Sequence, residues 1–305
     1  MHKRFIRGTA LAAVGALALA GCSAADSEPE APEGGGGATS DMTDLTIGVF
    51  NGWPEGEAAS FLWQAVLEEQ GYDVELEYAD AGPVFAGIAS GDYDVALDGW
   101  LPMTHADYME EFGEDLVDLG SWNDDAVLTL AVNENAPITS IEELADNADA
   151  FDNRIVGIEP GAGLTAATQD EVIPTYGLDG MEFVTSSTPA MLAELSSAID
   201  ADENIVVTLW RPHWAYDEFP IRDLEDPEGT LGDAEGIHSI ARAGFEEDYP
   251  QLTQWLQAFK MDSELLFSLE NEMFNSDADA SDYEDIVEDW IEANQEYVDG
   301  LTATE

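Results

Sequence analysis

Three tryptophans stand directly after segments whose composition predicts β-strands, and turn-forming residues surround them. They are Trp53, Trp100 and Trp210, and the apolar runs before them cover residues 45–50, 93–97 and 205–209. Glycine and proline turns at a strand exit place a side chain on the wall of a cleft. The alternative is that these residues cap a hydrophobic core. Three other tryptophans lie within apolar faces and are predicted core residues: Trp63, Trp255 and Trp290.

Indole faces gathered around one cleft suit a quaternary ammonium group. Such a cation carries no N–H, so hydrogen bonds cannot recognise it, whereas indole faces attract it through cation–π interactions and contact its methyl groups. Each face contributes about 0.5–2 kcal/mol, so three faces supply much of the roughly −8 kcal/mol of a micromolar affinity. We therefore predict a cage for a methylated amine.

A glycine-rich turn joins the predicted strand 154–158 to the predicted helix 164–176. Free backbone N–H groups and the helix dipole converge at such a turn and form an anion site. Residues 161–166 also fit the dinucleotide pattern G-x-G-x-x-A, but the pattern alone is weak and an exported protein rarely meets that cofactor, so we predict no cofactor. A carboxylate fits the same donors, and His105 can add an N–H. The alternative for His105 is a surface or helix-start histidine.

The charge of the chain is strongly one-sided. Its 305 residues include 66 Asp and Glu against 8 Lys and Arg, a formal net charge of −58, while 45% are hydrophobic and suffice for packed cores. Nothing here could neutralise a run of phosphates, which excludes nucleic acids and anionic membrane surfaces as partners. High salt screens such self-repulsion, so we predict adaptation to a saline compartment. The alternative is an acidic bias of the lineage without salt adaptation.

Residues 1–21 have the pattern of a secretory signal segment. Basic residues precede an almost wholly apolar run, 8–20, that is too short to span a hydrocarbon core of about 30 Å comfortably. The run then ends in Leu19-Ala20-Gly21-Cys22, which resembles the lipobox of bacterial lipoproteins, and Cys22 is the single cysteine. We predict lipidation of Cys22, a flexible tether over 22–43, and an extracytoplasmic, lipid-anchored protein. The alternative is an ordinary signal peptide.

Strand-like and helix-like segments alternate along the rest of the chain, which predicts an α/β fold with mostly parallel sheets. Further predicted strands cover residues 74–78, 128–132 and 182–185, and predicted helices cover 57–70, 83–90, 140–150, 189–201, 247–259, 263–275 and 283–298. Two α/β units without a flexible break between them imply two lobes and a ligand cleft. We assign residues 44–130 and 238–305 to lobe I, and 131–237 to lobe II.

Two motifs carry a family resemblance. They are Trp100-Leu-Pro-x-x-His105 and Trp210-x-Pro-His-Trp214, with Trp53 and Gly161-Ala-Gly-Leu164 in the same order along the chain. Together they resemble the glycine betaine/proline betaine-binding proteins of ABC importers. The resemblance implies a two-lobed, type II periplasmic-binding-protein fold, monomeric, that closes on a betaine and delivers it to a membrane permease for osmoprotection. It further implies a cage formed by Trp53, Trp100 and Trp210, and a carboxylate held by His105 and the amides of Gly163 and Leu164.

Other functions remain open at this stage. A receptor for choline, carnitine or ectoine is one alternative, and a secreted hydrolase is another. No catalytic motif such as G-x-S-x-G or H-E-x-x-H occurs, so we predict no enzyme. Residues 277–288 offer oxygens at calcium-loop spacing, but Asp282 stands where glycine is needed, so we predict no metal site. Arg211 is compatible with an ion pair or a permease contact, and the role of His213 stays open.

Overall fold

The computed structural model describes residues 41–275 and 280–303. The Asp41 carboxylate accepts hydrogen bonds from the Tyr72 hydroxyl at 2.5 Å and from the N–H groups of Gln251 and Leu252 at 2.8 Å each. The predicted tether thus includes three residues, 41–43, that are part of the fold. The predicted signal segment, Cys22 and the tether up to residue 40 lie outside the described residues.

Nine strands form one mixed sheet in the part of the chain that is described. They are β1 (Asp44–Phe50), β2 (Asp73–Ala79), β3 (Val95–Leu101), β4 (Leu116–Asn133), β5 (Arg154–Gly157), β6 (Glu182–Thr185), β7 (Val206–Arg211), β8 (Ile221–Asp223) and β9 (Glu235–Arg242). Their order in the sheet is β2-β1-β3-β9-β4-β7-β5-β6, with β8 paired to β4.

The long strand β4 divides this sheet into two halves. Up to residue 126 it pairs with β9, and over residues 127–132 it pairs with β7. We call β1, β2, β3 and β9 the first half-sheet, and β5, β6, β7 and β8 the second half-sheet. The candidate site is built from the strand ends, loops and helix starts that these two halves direct toward each other.

The helices connect the strands and form the C-terminal part of the chain. They are α1 (Pro54–Glu69), α2 (Ala81–Ser90), α3 (Ala106–Phe112), α4 (Gly163–Ala167), α5 (Ile173–Tyr176), α6 (Thr188–Asp200), α7 (Ala215–Glu218), α8 (Phe245–Asp248), α9 (Pro250–Ala258), α10 (Ser263–Phe274), α11 (Tyr283–Ala293) and α12 (Gln295–Leu301). A π-helical turn, Thr168–Val172, joins α4 to α5. None of the described helices is both long and apolar enough to cross a membrane.

The prediction of mostly parallel sheets is wrong, because the described pairings are evenly mixed. β1 pairs in parallel with β2 and β3, and β5 with β6 and β7, as βαβ units require. β9 is antiparallel to β3 and β4, and β4 is antiparallel to β7 and β8. The first part of β4 was missed because residues 118–125 contain glycine and acidic residues typical of turns. The predicted helix 140–150 is instead two 3-10 segments, Ile141–Glu143 and Ala145–Phe151.

The C-terminal helices pack on the first half-sheet side of the molecule. Helix α1 contacts α10 and α11, and α9 contacts β4. The predicted core tryptophans are confirmed as buried: Trp63, Trp255 and Trp290 are 0%, 9% and 1% exposed. This packing fixes α1, and with it the turn that carries Trp53.

Candidate ligand-binding site

The three predicted cage tryptophans meet around one small hollow. Trp53, Trp100 and Trp210 all line it, and each is at most 6% exposed. The rings of Trp53 and Trp210 have centroids 6.1 Å apart and planes inclined by 57°. The hollow measures about 20 Å³, room for about one water molecule, so a larger ligand enters only when the walls separate.

The three tryptophans are held by different backbone positions. Trp53 precedes α1, whose first residue is Pro54. Trp100 and Trp210 are the penultimate residues of β3 and β7, so the prediction that they lie beyond their strands is wrong. Each of these strands runs further because of its partner: β9 was not predicted, and the strand predicted over 128–132 was not known to pair with β7. β3 pairs with β9 as far as Leu101, and β7 pairs with β4 as far as Arg211.

A reciprocal pair of hydrogen bonds ties His105 to Trp100. The Trp100 N–H donates to His105 Nδ1 at 2.9 Å, and the His105 N–H donates to the Trp100 carbonyl at 3.0 Å. Between them lie the cis Leu101–Pro102 bond and two further N–H groups, those of Met103 and Thr104. These donate to the buried Glu235 carboxylate of β9 at 2.6 and 2.9 Å. The loop after β3 is therefore fixed by the Trp100–His105 hydrogen bonds and by the Glu235 carboxylate.

His105 is neutral and carries its proton on Nε2. Its side chain is fully buried, and burial lowers its pKa to about 3. Since Nδ1 accepts the Trp100 N–H, the proton of the neutral ring sits on Nε2, which has no hydrogen-bond partner among the described residues. The ring stacks on Trp53 and does not itself line the hollow.

The glycine-rich turn approaches the site from the second half-sheet. Gly163 begins α4, and its preceding residue, Ala162, has no side chain able to cap the helix, so the first N–H groups of α4 remain available as donors. Leu164 lines the hollow, and Gly163 lines the wider cleft outside it. A Cβ on Gly163 would lie 2.3 Å from the Thr104 carbonyl oxygen, so only glycine permits this approach between the two halves.

A buried group of carboxyls lies beside the cage, and sequence reasoning missed it. Glu55 lines the hollow, is 0% exposed, and neither oxygen has a hydrogen-bond partner within the described chain. Burial raises the pKa of Glu55 to about 8. Burial, and then the charge of Glu55, also raise the pKa of Asp98 and of Glu270 well above their usual values.

Glu55 gave only a weak signal in the sequence. It stands two residues after Trp53 in the first turn of α1, where an acidic side chain is common for its effect on the helix dipole. In a chain with 66 acidic residues, an acidic residue at a helix start does not by itself indicate a functional role. Only its burial distinguishes Glu55 from the other acidic residues at helix starts.

Arg211 and His213, to which the sequence assigned no single role, lie next to Trp210. The ring of His213 stands edge-on to Trp210, 4.8 Å away, and burial lowers the pKa of His213 to about 3. Arg211 is half-exposed and forms an ion pair with Asp223 at 2.7 Å, its guanidinium 3.5 Å from the centre of the Tyr216 ring. His213 thus supports the Trp210 wall of the hollow, and Arg211 fixes the end of β7.

An open cleft of about 920 Å³ adjoins the hollow and shares Thr104, Leu128 and Ala162 with it. Six acidic residues line this cleft: Asp107, Glu111, Asp170, Glu171, Glu228 and Glu235. Their negative potential favours the approach of cations. Residues 41–275 and 280–303 contain no group of His, Cys, Asp and Glu side chains arranged to hold a metal ion.

A two-part α/β sheet with an aromatic hollow between the loops of its halves defines a two-lobed binding protein of the periplasmic type. The chain belongs to the family described as the substrate binding domain of ABC-type glycine betaine transport systems, whose profile matches residues 43–293. Members of this family bind substrates for a transporter and are not enzymes. The chain is accordingly a non-enzymatic substrate-binding protein, and the secreted hydrolase is excluded.

Two solved structures share this fold. Lactococcal OpuAC, in a closed, liganded conformation with glycine betaine, has a TM-score of 0.79 and 28% identity, covering 86% of this chain and 100% of that one. The glycine betaine/L-proline-binding protein ProX of Borrelia burgdorferi has a TM-score of 0.77 and 31% identity, covering 84% and 95%.

One sequence relative is the glycine betaine/carnitine transport binding protein GbuC of Listeria monocytogenes. It is 37% identical over 155 residues, which are 50% of this chain and 50% of that protein. The matched segment therefore spans about half the length of this relative.

Proposed function

We propose that this protein is an extracytoplasmic receptor that captures glycine betaine, or a related betaine, and delivers it to an ABC permease for osmoprotection. One observation carries the proposal: tryptophans from the β1–α1 turn, β3 and β7 line a single hollow. Hydrogen bonds cannot recognise a trimethylammonium group, and three indole faces can.

The ammonium group would occupy the hollow among Trp53, Trp100 and Trp210. Support comes from the buried Glu55 carboxyl on the same wall, whose ionised form attracts a cation in this poorly solvated place. The 20 Å³ volume requires the two half-sheets to separate for entry and to close again around the ligand. A permease that distinguishes the closed form would then receive only loaded protein.

The carboxylate of the betaine would be held by His105 Nε2–H and the amides of Gly163 and Leu164. Support comes from the neutral tautomer of His105, which leaves Nε2–H as a donor, and from the uncapped start of α4. His105 lies one layer behind the hollow, against Trp53, so in this arrangement its donor would reach the carboxylate only as the walls move for entry.

Choline is the second candidate ligand, favoured by a specific observation. The hollow carries the Glu55 carboxyl and the adjoining cleft is lined by acidic residues, an environment that suits a cation without its own carboxylate. Carnitine and ectoine are further ligands to compare. A response to choline alone would assign the receptor to that ligand.

The test is a titration of intrinsic tryptophan fluorescence with glycine betaine, choline, carnitine and ectoine. The proposal expects saturable binding of glycine betaine that Trp100→Ala weakens at least tenfold, because one cation–π wall is lost. The matched control is Trp290→Phe, a buried core tryptophan away from the hollow, which should leave affinity unchanged. No saturable response to any ligand, or an unaffected Trp100→Ala, contradicts the proposal.

We further propose the remaining sequence-based assignments. Cys22 would carry the lipid anchor, and the protein would act as a monomer in a saline compartment. Lobe I would contain residues 44–130 and 238–305, and lobe II residues 131–237. The change in pairing partner within β4 near residue 126 supports the first boundary, while β9 begins at Glu235, so the second would fall inside that strand.

A further inference from the structure

Glu159 connects the cage to the opposite half of the molecule. It follows β5, in the second half-sheet, while Trp53 lies between β1 and α1 of the first. The Trp53 Nε1–H donates to Glu159 Oε1 at 2.5 Å, with both residues at most 7% exposed. Residues 159 and 53 are far apart along the chain, and sequence reasoning did not select Glu159.

The Glu159 side chain is itself held firmly within the second half-sheet. Its other oxygen, Oε2, accepts from the N–H of Thr188 at 3.1 Å and from the Thr188 hydroxyl at 3.2 Å. Its backbone carbonyl accepts from the Thr165 hydroxyl at 2.9 Å and from the Ala162 N–H at 3.2 Å. The carboxylate is therefore a fixed acceptor for Trp53, positioned by the start of α6 and the glycine-rich turn.

A second contact at the same place brings the backbone of the two halves together. Gly52, next to Trp53, has a φ of +76°. A Cβ added to it would lie 3.0 Å from Pro189 Cδ and 3.3 Å from Thr188 Cβ. The β1–α1 turn thus rests directly on the start of α6, and the Trp53–Glu159 hydrogen bond lies beside this contact.

We propose that Glu159 is a positioning residue that latches the cleft shut through Trp53, so that the ammonium cage is complete only while the two half-sheets are joined. This inference rests on the proposed function. Trp53 is the cage wall whose polar atom bonds across the cleft, whereas the Trp100 indole N–H donates to Asp98 on its own strand at 2.9 Å. A departing ligand must therefore wait for the Trp53–Glu159 bond to break, whereas a ligand that arrives while the half-sheets are separated meets no such bond.

The first test is the dissociation rate of glycine betaine, measured by stopped-flow fluorescence on the full chain. In Glu159→Gln the single amide oxygen cannot accept from both Trp53 and Thr188. We expect the dissociation rate to rise about tenfold or more, the usual effect of losing a hydrogen bond to a charged group, and the association rate to change by less than about threefold. The control is Asp94→Asn, whose carboxylate accepts from Thr46 and Arg242 within the first half-sheet. It should leave the dissociation rate unchanged.

A second pair of variants tests the same bond from the other side and does not depend on the stability of Glu159→Gln. Trp53→Phe and Trp100→Phe make the same change of ring in two cage walls, but only the first removes a bond across the cleft. We expect Trp53→Phe to accelerate dissociation several-fold more than Trp100→Phe. Adding Glu159→Gln to Trp53→Phe should then have little further effect, because the bond is already gone.

The outcomes separate this inference from the function on which it rests. A wild-type dissociation rate in folded Glu159→Gln overturns the latch, as do equal effects of the two phenylalanine variants or additive effects in the double variant. Each of these results leaves betaine binding by the wild type intact. A wild type that binds no betaine overturns the proposed function instead.

Discussion

The imidazole of His105 lies parallel to the indole of Trp53, with centroids 5.6 Å apart and planes inclined by 6°. The same histidine offers an N–H at Nε2, so it combines support of a cage wall with a donor for an anion. His105→Phe keeps the stacked ring but removes both this donor and the Nδ1 acceptor of the Trp100 N–H. The lost Trp100 contact affects both ligands alike, so we expect calorimetry to show glycine betaine binding weakened about tenfold more than choline binding, because choline has no carboxylate.

The matched control for His105 is His213→Phe. His213 supports Trp210 from behind, and its Nδ1 accepts a backbone N–H, from Ala215 at 3.1 Å. It adjoins the proposed ammonium cage, so its replacement should affect both ligands alike. Equal losses of betaine and choline in His105→Phe would show that His105 acts only through Trp53.

Gly163 allows the two half-sheets to approach, and a methyl group there should keep them apart. In Gly163→Ala the new Cβ would meet the Thr104 carbonyl oxygen at 2.3 Å, so the closed arrangement cannot form without a backbone shift. We expect betaine affinity to fall at least tenfold, because the closed arrangement encloses the ligand. Gly161→Ala is the control, since its Cβ meets only the Tyr108 hydroxyl, at 3.8 Å. Equal affinities in the two variants would contradict this role of Gly163.

The acidity of the chain predicts a dependence of stability on salt. With a net charge of −58, repulsion among carboxylates opposes compaction at low ionic strength, and molar salt shortens the Debye length to about 3 Å. We expect the melting temperature to rise by at least 10 °C between about 0.1 M and multimolar NaCl. Sucrose at matched water activity serves as the control for a non-ionic effect. A flat response would favour an acidic bias without salt adaptation.

That these three tryptophans meet at one hollow could be predicted from the sequence because the signal is local. Trp53, Trp100 and Trp210 each follow an apolar run and are accompanied by turn residues, and such short patterns survive errors in the strand boundaries. The predicted strand boundaries were wrong where a strand pairs with a segment far away along the chain. In β9 and the first part of β4, glycine and charged residues interrupt the apolar ones, and pairing with their partners makes these segments strands.

The buried polar partners of the cage could not be predicted. Glu159 meets Trp53 across more than a hundred residues of chain, and Glu55 differs from the other acidic residues only by its burial. The neutral state of His105 likewise depends on full enclosure, and its tautomer depends on one backbone N–H. These properties arise from packing, which cannot be predicted from residue types and their spacing.

Ligand affinity should depend on pH through Glu55. In the unliganded protein its pKa is about 8, so below pH 8 the carboxyl is mostly protonated. A bound ammonium group favours the ionised form and lowers this pKa, so binding releases a proton and affinity rises with pH, by at most tenfold per pH unit, until it levels off above pH 8. His105 and His213, with pKa values of about 3, do not titrate in this range.

Calorimetry between pH 6 and pH 9, in buffers of different ionisation enthalpy, measures both the affinity and the proton release. The expected result is rising affinity with proton release below pH 8. In Glu55→Gln, which cannot ionise, both effects should disappear while binding persists at reduced affinity. Equal wild-type affinity at pH 6 and pH 9, with no proton release, would rule out this role for Glu55.

The unliganded protein should lose stability as pH rises, because its buried carboxyls resist ionisation. The pKa values of Glu55, Asp98 and Glu270 are all raised in the folded state, so between pH 5 and pH 8 the folded chain binds more protons than the unfolded one. The free energy of unfolding therefore falls with increasing pH across this window. For Glu55, whose pKa rises from 4.5 to about 8, the effect is on the order of 4 kcal/mol.

Denaturant unfolding at pH 5 and pH 8, in constant high salt to screen surface charge, measures this difference. Glu270→Gln should be more stable than the wild type at pH 8 and should show a smaller difference between the two pH values, since it removes one group that resists ionisation. Saturating glycine betaine should reduce the dependence as well, because its ammonium group stabilises ionised Glu55. A wild type more stable at pH 8 than at pH 5, without ligand, would mean that these carboxyls are not held protonated by the fold.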